Sequence, residues 1–221
     1  MHWTEVPIHF VDFEGSPSSG VVEYGVVTLR AGEVAAVHTR LCAPSGPIRP
    51  EDFAIHMIPA EATAGTAPFS DEWEIFAGLR SRGPFAAHFA GTENAIIRSV
   101  WPYARVSPDF ARPGQTSVEW GPWIDTGRLL RQLFRGVDSA RLEDLVDSFG
   151  LRTEVLALAE QYCPADRRFF HAALFDALAG GALLCSFLRQ SHFVGATIPW
   201  LLQQSVLDPD RREALRQGEL F

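Results

Sequence analysis

The stretch Ile8-His9-Phe10-Val11-Asp12-Phe13-Glu14-Gly15-Ser16 decides how this chain is read. Ile8, Phe10, Val11 and Phe13 are strand formers, and Gly15 to Gly20 supplies breakers directly afterwards, which predicts a short buried strand. Side chains alternate along a strand, so Asp12 and Glu14 fall on one face, about 7 Å apart by the usual rise per residue. Two like charges at the end of an apolar strand are unfavourable unless a cation joins them. Hard divalent ions such as magnesium or manganese prefer carboxylate oxygens. The polar face of an exposed edge strand would account for the pair without any chemistry, and Asp-x-Glu is a common triplet, so it needs partners downstream.

Working outward, Val21 to Leu29 and Val34 to Leu41 are rich in β-branched residues and flank an Ala31-Gly32 turn, so the first three strands are expected as an antiparallel meander. Cys42 to Pro50 reads as loop. Ser70 is the expected cap of a helix from Asp71 to about Leu79, and Phe85 to His88 is a short strand. A helix from Thr92 to Trp101 is expected to take Thr92 as its cap and to carry Glu93 in its first turn. Residues 104–122, with proline, glycine and aromatics but little periodicity, read as a surface insertion.

Trp123 to Thr126 is a further strand, followed by a helix through Leu133 and Phe134. Leu142, Leu145, Val146 and Phe149 recur at helical spacing in Ser139 to Phe149, with Gly150 as the stop, and another helix runs from Thr153 to about Tyr162. Ala172 to Leu188 is the most apolar helix, with Asp176 inside it. An ionised, unpartnered aspartate buried there would be strongly unfavourable, so a proton, a salt bridge or a metal is expected to meet it. His171, about 140° from Asp176 around an ideal helix, is better placed at the helix entrance, overhanging a site whose floor is Asp176. Gly180-Gly181 within this helix implies close backbone packing. Two short helices follow Pro199.

The chain has 221 residues and a formal charge of −8, with the composition of an ordinary globular protein. One well-cored domain over residues 1–190 is expected, with 191–221 as a helical extension packed on it. Neither a signal-like start nor a bilayer-length apolar run is present, so no membrane role and a cytoplasmic location are expected. Cys42, Cys163 and Cys185 form no Cys-x-x-Cys pair, and buried free thiols are expected. Net negative charge weighs against nucleic-acid binding in general. It weighs less if the acids are gathered around metal ions that themselves meet phosphate.

Taken in order, Asp12-x-Glu14, Ile55-His56-Met57-Ile58, Ala87-His88 with an acid five residues on, Asp125-Thr126 before a helix, Arg141-Leu142-Glu143-Asp144-Leu145 and His171-x-x-x-x-Asp176 resemble the DEDDh 3′→5′ exonucleases. That is the family of the polymerase proofreading subunit and RNase T, and the resemblance covers roughly residues 8 to 190. It implies a ribonuclease H-like α/β fold: a mixed five-stranded sheet with helices on both faces. It also implies two divalent ions, magnesium or manganese, held by Asp12, Glu14, Glu93 and Asp176, with Asp12 bridging and His171 as general base. Glu93 departs from the family's aspartate, and His88-Phe89-Ala90 lacks the family's Asn.

By the same resemblance, Gly15 and Ser16 would meet the 3′ end. His88 is more often a satisfied core histidine but is retained as a substrate contact, and Phe13 and Phe89 are candidates for wedging a terminal base. The implied activity is release of nucleoside monophosphates from single-stranded 3′ ends, with DNA ahead of RNA, and a proofreading role would need a polymerase or repair partner in trans. Trimming of short RNA is the nearest alternative. A degenerate module that binds nucleic-acid ends or a partner is the non-enzymatic one.

Overall fold

The structure is a computed structural model, described over residues 1–134 and 139–206. Strand β1 (Ile8–Ser16) lies at the centre of a five-stranded sheet. It pairs antiparallel with β2 (Gly20–Arg30), which pairs antiparallel with β3 (Glu33–Leu41). On its other side β1 runs parallel to β4 (Phe85–Ala87), and two further short strands, β5 (Ser107–Pro108) and β6 (Thr116–Ser117), form a separate hairpin. The sheet ends at β7 (Ile124–Asp125), parallel to β4. This is the mixed five-stranded α/β sheet expected, with the first three strands antiparallel.

The period of two along β1 divides the core. Ile8 and Phe10 join one apolar cluster, while Val11 and Phe13 join another. The first cluster is covered by α4 (Thr126–Leu133), α5 (Leu142–Ser148), α6 (Arg152–Tyr162), α7 (Ala173–Leu188) and α8 (Ile198–Gln204). The second lies beneath α2 (Trp73–Arg82) and α3 (Gly91–Val100). Asp12 and Glu14 have the parity of Ile8 and Phe10, so they emerge on the α7 face where the apolar run ends. Helix α7 is buried along nearly its whole length. A Cβ on Gly180 would lie 2.2 Å from the Phe10 ring, so the expected close approach is real at Gly180, whereas Gly181 meets nothing nearer than 3.5 Å. Gly150 follows α5 with φ of +69°, as a helix stop requires.

Several expectations need correction. Helix α1 (Pro50–His56) begins where loop was expected, with Pro50 in the first turn, where its missing N–H leaves nothing unpaired. Ser70 lies inside a 3-10 turn (Phe69–Glu72) rather than capping α2, and Thr92 lies inside α3, whose N-cap is Ala90. Helix α5 starts at Leu142, not Ser139; the Ser139 hydroxyl instead donates to Asp144 at 2.5 Å. The segment 104–122 is largely at the surface but is anchored to the core at several points. Trp120 is fully buried and stacks on Phe85 at 6.0 Å, and the guanidinium of buried Arg80 donates to the carbonyls of Pro108, Glu119, Trp120 and Gly121. These bonds pair backbone carbonyls of an irregular stretch where it meets the core. Of the two C-terminal helices expected, α8 packs through Ile198, Leu201 and Leu202 into the first cluster, and the second falls outside the described residues. All three cysteines are buried and free. No helix among the described residues is long and apolar enough to cross a membrane.

Candidate active site

A cleft of about 360 Å³ opens over the C-terminal end of β1, lined by Asp12, Phe13, Glu14, His88, Phe89, Ala140, Arg141, Leu142, Glu143, Phe170, His171 and Asp176. The acids arrive from different elements. Asp12 and Glu14 come from β1, and Asp176 comes from the first turn of α7. Helix α7 can sit this low because Gly25, paired with Asp12 across β1 and β2, has no side chain; a Cβ there would lie 2.3 Å from the Ala173 backbone. Glu14, Asp176 and His171 bring one ligand atom each within 4.8 Å of one another. Asp12 lines the same cleft without joining that triplet.

The electrostatics are those of crowded, dehydrated acids. Burial, then the charges of Asp176, Glu14 and Glu93, hold the Asp12 carboxyl well above the usual range. Burial and the neighbouring Asp176 and Glu23 push Glu14 up to about 8, against the opposing pull of Arg167. Burial raises Asp176 to about 7 although it accepts the His171 backbone N–H at 3.0 Å. Glu93, on α3, is buried and does not line the cleft, and burial raises it to about 8. Its charge is felt by Asp12 and Glu14.

Asp176 Oδ1 and Glu93 Oε2 are buried with no hydrogen-bond partner. Buried carboxylate oxygens without partners are what a cation would satisfy, and carboxylates with one imidazole suit magnesium or manganese. The residues present therefore fit divalent metal.

His171 is exposed, just ahead of α7, with φ of +67°. It stands at the helix entrance expected for it. Phe89 also has positive φ, +60°, and its ring lies against Gly127 beneath the Arg131 guanidinium. It remains partly exposed at the cleft.

Of the other expected substrate contacts, Phe13 and His88 border the cleft and Gly15 and Ser16 do not. The Phe13 ring packs edge-on against Phe69 at 5.2 Å within the second core cluster, while the residue also borders the cleft. His88 is half-buried at the edge of the cleft with both ring nitrogens engaged, Nδ1 with Thr126 Oγ1 at 3.0 Å and Nε2 with the Ala140 carbonyl at 2.7 Å. Gly15 and Ser16 do not line the cleft. Gly15 sits in a bulge with φ of +139°, and the Ser16 hydroxyl donates to Asp52 of α1 at 2.7 Å.

Asp125 caps α4, accepting the backbone N–H groups of Arg128 and Phe89, which ties the turn after β4 to β7. Arg167 went unnoticed in the sequence. It forms a bidentate ion pair with Glu23, at 2.6 and 3.2 Å, beside the cleft.

No protein-family model and no curated protein matches the sequence. Solved structures do match its fold. Exonuclease X, solved with 5′-overhanging duplex DNA, is 22% identical over 88% of this chain and 99% of its own, with a TM-score of 0.61. The nuclease domain of 3′hExo, a DEDDh family member bound to rAMP, is 12% identical over 87% and 96%, with a TM-score of 0.59. The chain has the DEDDh-exonuclease fold. A structure of exonuclease I matches at a TM-score of 0.62 and 14% identity, this chain covering 42% of it.

Proposed function

We propose that this DEDDh-fold chain is a metal-dependent 3′→5′ exonuclease that hydrolyses the terminal phosphodiester of a single strand and releases nucleoside monophosphates. The observation that carries the reading is the meeting of Asp12, Glu14, Asp176 and His171 in one cleft, with carboxylate oxygens left unpaired. Asp12, Glu14 and Asp176 would hold one divalent ion, and Asp12 with Glu93 a second. When bound, such ions supply charge that stabilises the attacking and leaving oxygens of an in-line displacement.

The chain's own residues do the rest. His171 stands over the acids and accepts the proton of the attacking water at a ring nitrogen. Phe89, held by the bond from its N–H to Asp125, offers a partly exposed ring to a terminal base. Arg141, exposed at the cleft, offers a cation to a strand phosphate. Asp176 fixes the His171 backbone as well as donating an oxygen. A proofreading or repair role would join this activity to a polymerase or repair partner in trans.

The test is degradation of matched 5′-labelled DNA and RNA oligonucleotides with magnesium and then manganese, in the parent and in Asp12→Ala. A ladder shortened from the 3′ end, lost in Asp12→Ala, is expected, and DNA is expected to be the faster substrate. Faster RNA trimming would assign the exoribonuclease alternative. Binding of ends without hydrolysis in either metal would assign the binding module instead.

A further inference from the structure

We propose that Arg167 is a positioning residue that sets the catalytic attitude of His171 through its backbone; this rests on the role given to His171 above. The argument starts in the β1–β2 ladder, where Glu14 lies directly opposite Glu23. Both have the parity that faces α7, so a second carboxylate stands beside the metal-binding acids. Like charges directly across a ladder are unfavourable. Glu23 is kept out of the cluster by Arg167, whose Nε and Nη2 engage its two oxygens at 3.2 and 2.6 Å. The pair is nearly buried, the Arg167 side chain 12% exposed and that of Glu23 5%.

The same guanidinium has further partners. Nη1 donates to the His56 carbonyl at 2.7 Å, and Nη2 also donates to the His171 carbonyl at 3.3 Å. Glu23 Oε2 in turn accepts the Ala173 N–H at 2.9 Å. The segment 171–173 is therefore bracketed: the His171 N–H by Asp176, its carbonyl by Arg167, and the Ala173 N–H by Glu23. Such bracketing is what His171 needs. A φ of +67° is unfavourable for a residue with a Cβ and persists only where the surroundings over-determine it. His171 is exposed, so the place of its ring beside Glu14 and Asp176 is inherited from that backbone. The planar fork is essential to the device. A lysine could neutralise Glu23 but could not hold both of its oxygens and two carbonyls at once.

The test uses the full chain with manganese and a 5′-labelled oligonucleotide. Activity in the parent and its loss in Asp12→Ala are checked first; failure there overturns the nuclease reading and not the clamp. Arg167→Met is then made together with Glu23→Gln, so that no unpaired buried charge remains and the amide oxygen can still accept from Ala173. The pair of changes is expected to lower kcat roughly 10- to 100-fold while KM stays within about threefold, the signature of a displaced catalytic group rather than lost binding. The manganese-induced rise in Tm should remain. In a His171→Ala background the same changes should slow hydrolysis by less than about twofold, because a positioner has nothing left to position. Arg167→Lys alone keeps the charge and is read separately should the double variant not fold; it too is expected to lose kcat. Parental kcat in either variant, or an equal loss with and without His171, overturns the proposal.

Discussion

Raising the pH of the metal-free protein should destabilise it, and the site geometry sets the size of the effect. Burial, and then the charges of neighbouring acids, raise Glu14 and Glu93 to about 8 and Asp176 to about 7, from unperturbed values of 4.5 for Glu and 3.8 for Asp. Between the unfolded and folded values, the folded chain holds protons that the unfolded chain has released. Stability then falls as pH rises, by about 1.4 kcal/mol per pH unit for each retained proton. Histidines tilt the other way at lower pH. Burial lowers His9 from 6.5 to about 3, and it also lowers His88 and His56, so the stability they contribute is lost as pH falls below about 6.5.

The clean window is therefore pH 6.5 to 8. The four acids share their protons, so one retained proton on average is the conservative count, giving a loss of about 2 kcal/mol across the window. For a chain of this size that is a fall in Tm of about 4 to 8 °C. Melting in chelator and in saturating manganese would be compared at intervals across the window. Manganese should abolish or reverse the slope, because ions bind the deprotonated acids and stabilise only the folded state. A Tm that stays flat or rises in chelator, or a falling slope that survives unchanged in a Glu14→Gln, Asp176→Asn double variant, would refute the reasoning.

Three further outcomes are expected. Asp176→Asn should leave the metal-free protein at least as stable by thermal melting, remove the manganese-induced rise in Tm and abolish hydrolysis; retained hydrolysis would break the site assignment. His171→Ala should keep the manganese-induced shift yet slow single-turnover hydrolysis by roughly 10² to 10⁴, and a parental rate would exclude it as the base. Gly25→Ala should lower unfolding stability by about 3 kcal/mol or more in urea, since its Cβ would meet the Ala173 backbone and not a flexible side chain. An unchanged midpoint would show that α7 can lift off the sheet freely.

Features carried by local periodicity were legible in the sequence; those made by distant pairings were not. The alternation of β1 placed Asp12 and Glu14 on one face, and the apolar continuity of α7 with Asp176 inside it marked the second half of the site. That alternation also held information left unused. Phe13 has opposite parity to the acids, which sends its ring to the other cluster. Pro50 followed by Glu51 and Asp52 was an available signal for the start of α1, masked by the prolines before it. No local signal announces the anchoring of 104–122 to the core, because it depends on Arg80 reaching carbonyls 28 to 41 residues away. The Arg167–Glu23 pair, 144 residues apart, is equally silent in sequence.

What joins the legible and illegible parts is the direction of the strands. β1, β4 and β7 run parallel, so their C-terminal ends lie side by side. At those ends stand Glu14, then His88 and Phe89, then Asp125. Open α/β sheets bind ligands outside the carboxyl ends of their parallel strands, where chains turn away and leave a crevice. Here β1 supplies acids to that crevice, β4 supplies a turn held by Asp125, and α7 closes it from above only because Gly25 leaves room. A bulkier residue opposite Asp12 would keep every motif in the sequence and still separate Asp176 from Glu14. The order of motifs along the chain is thus necessary for this site but not sufficient; the contact at Gly25 turns that order into a cluster.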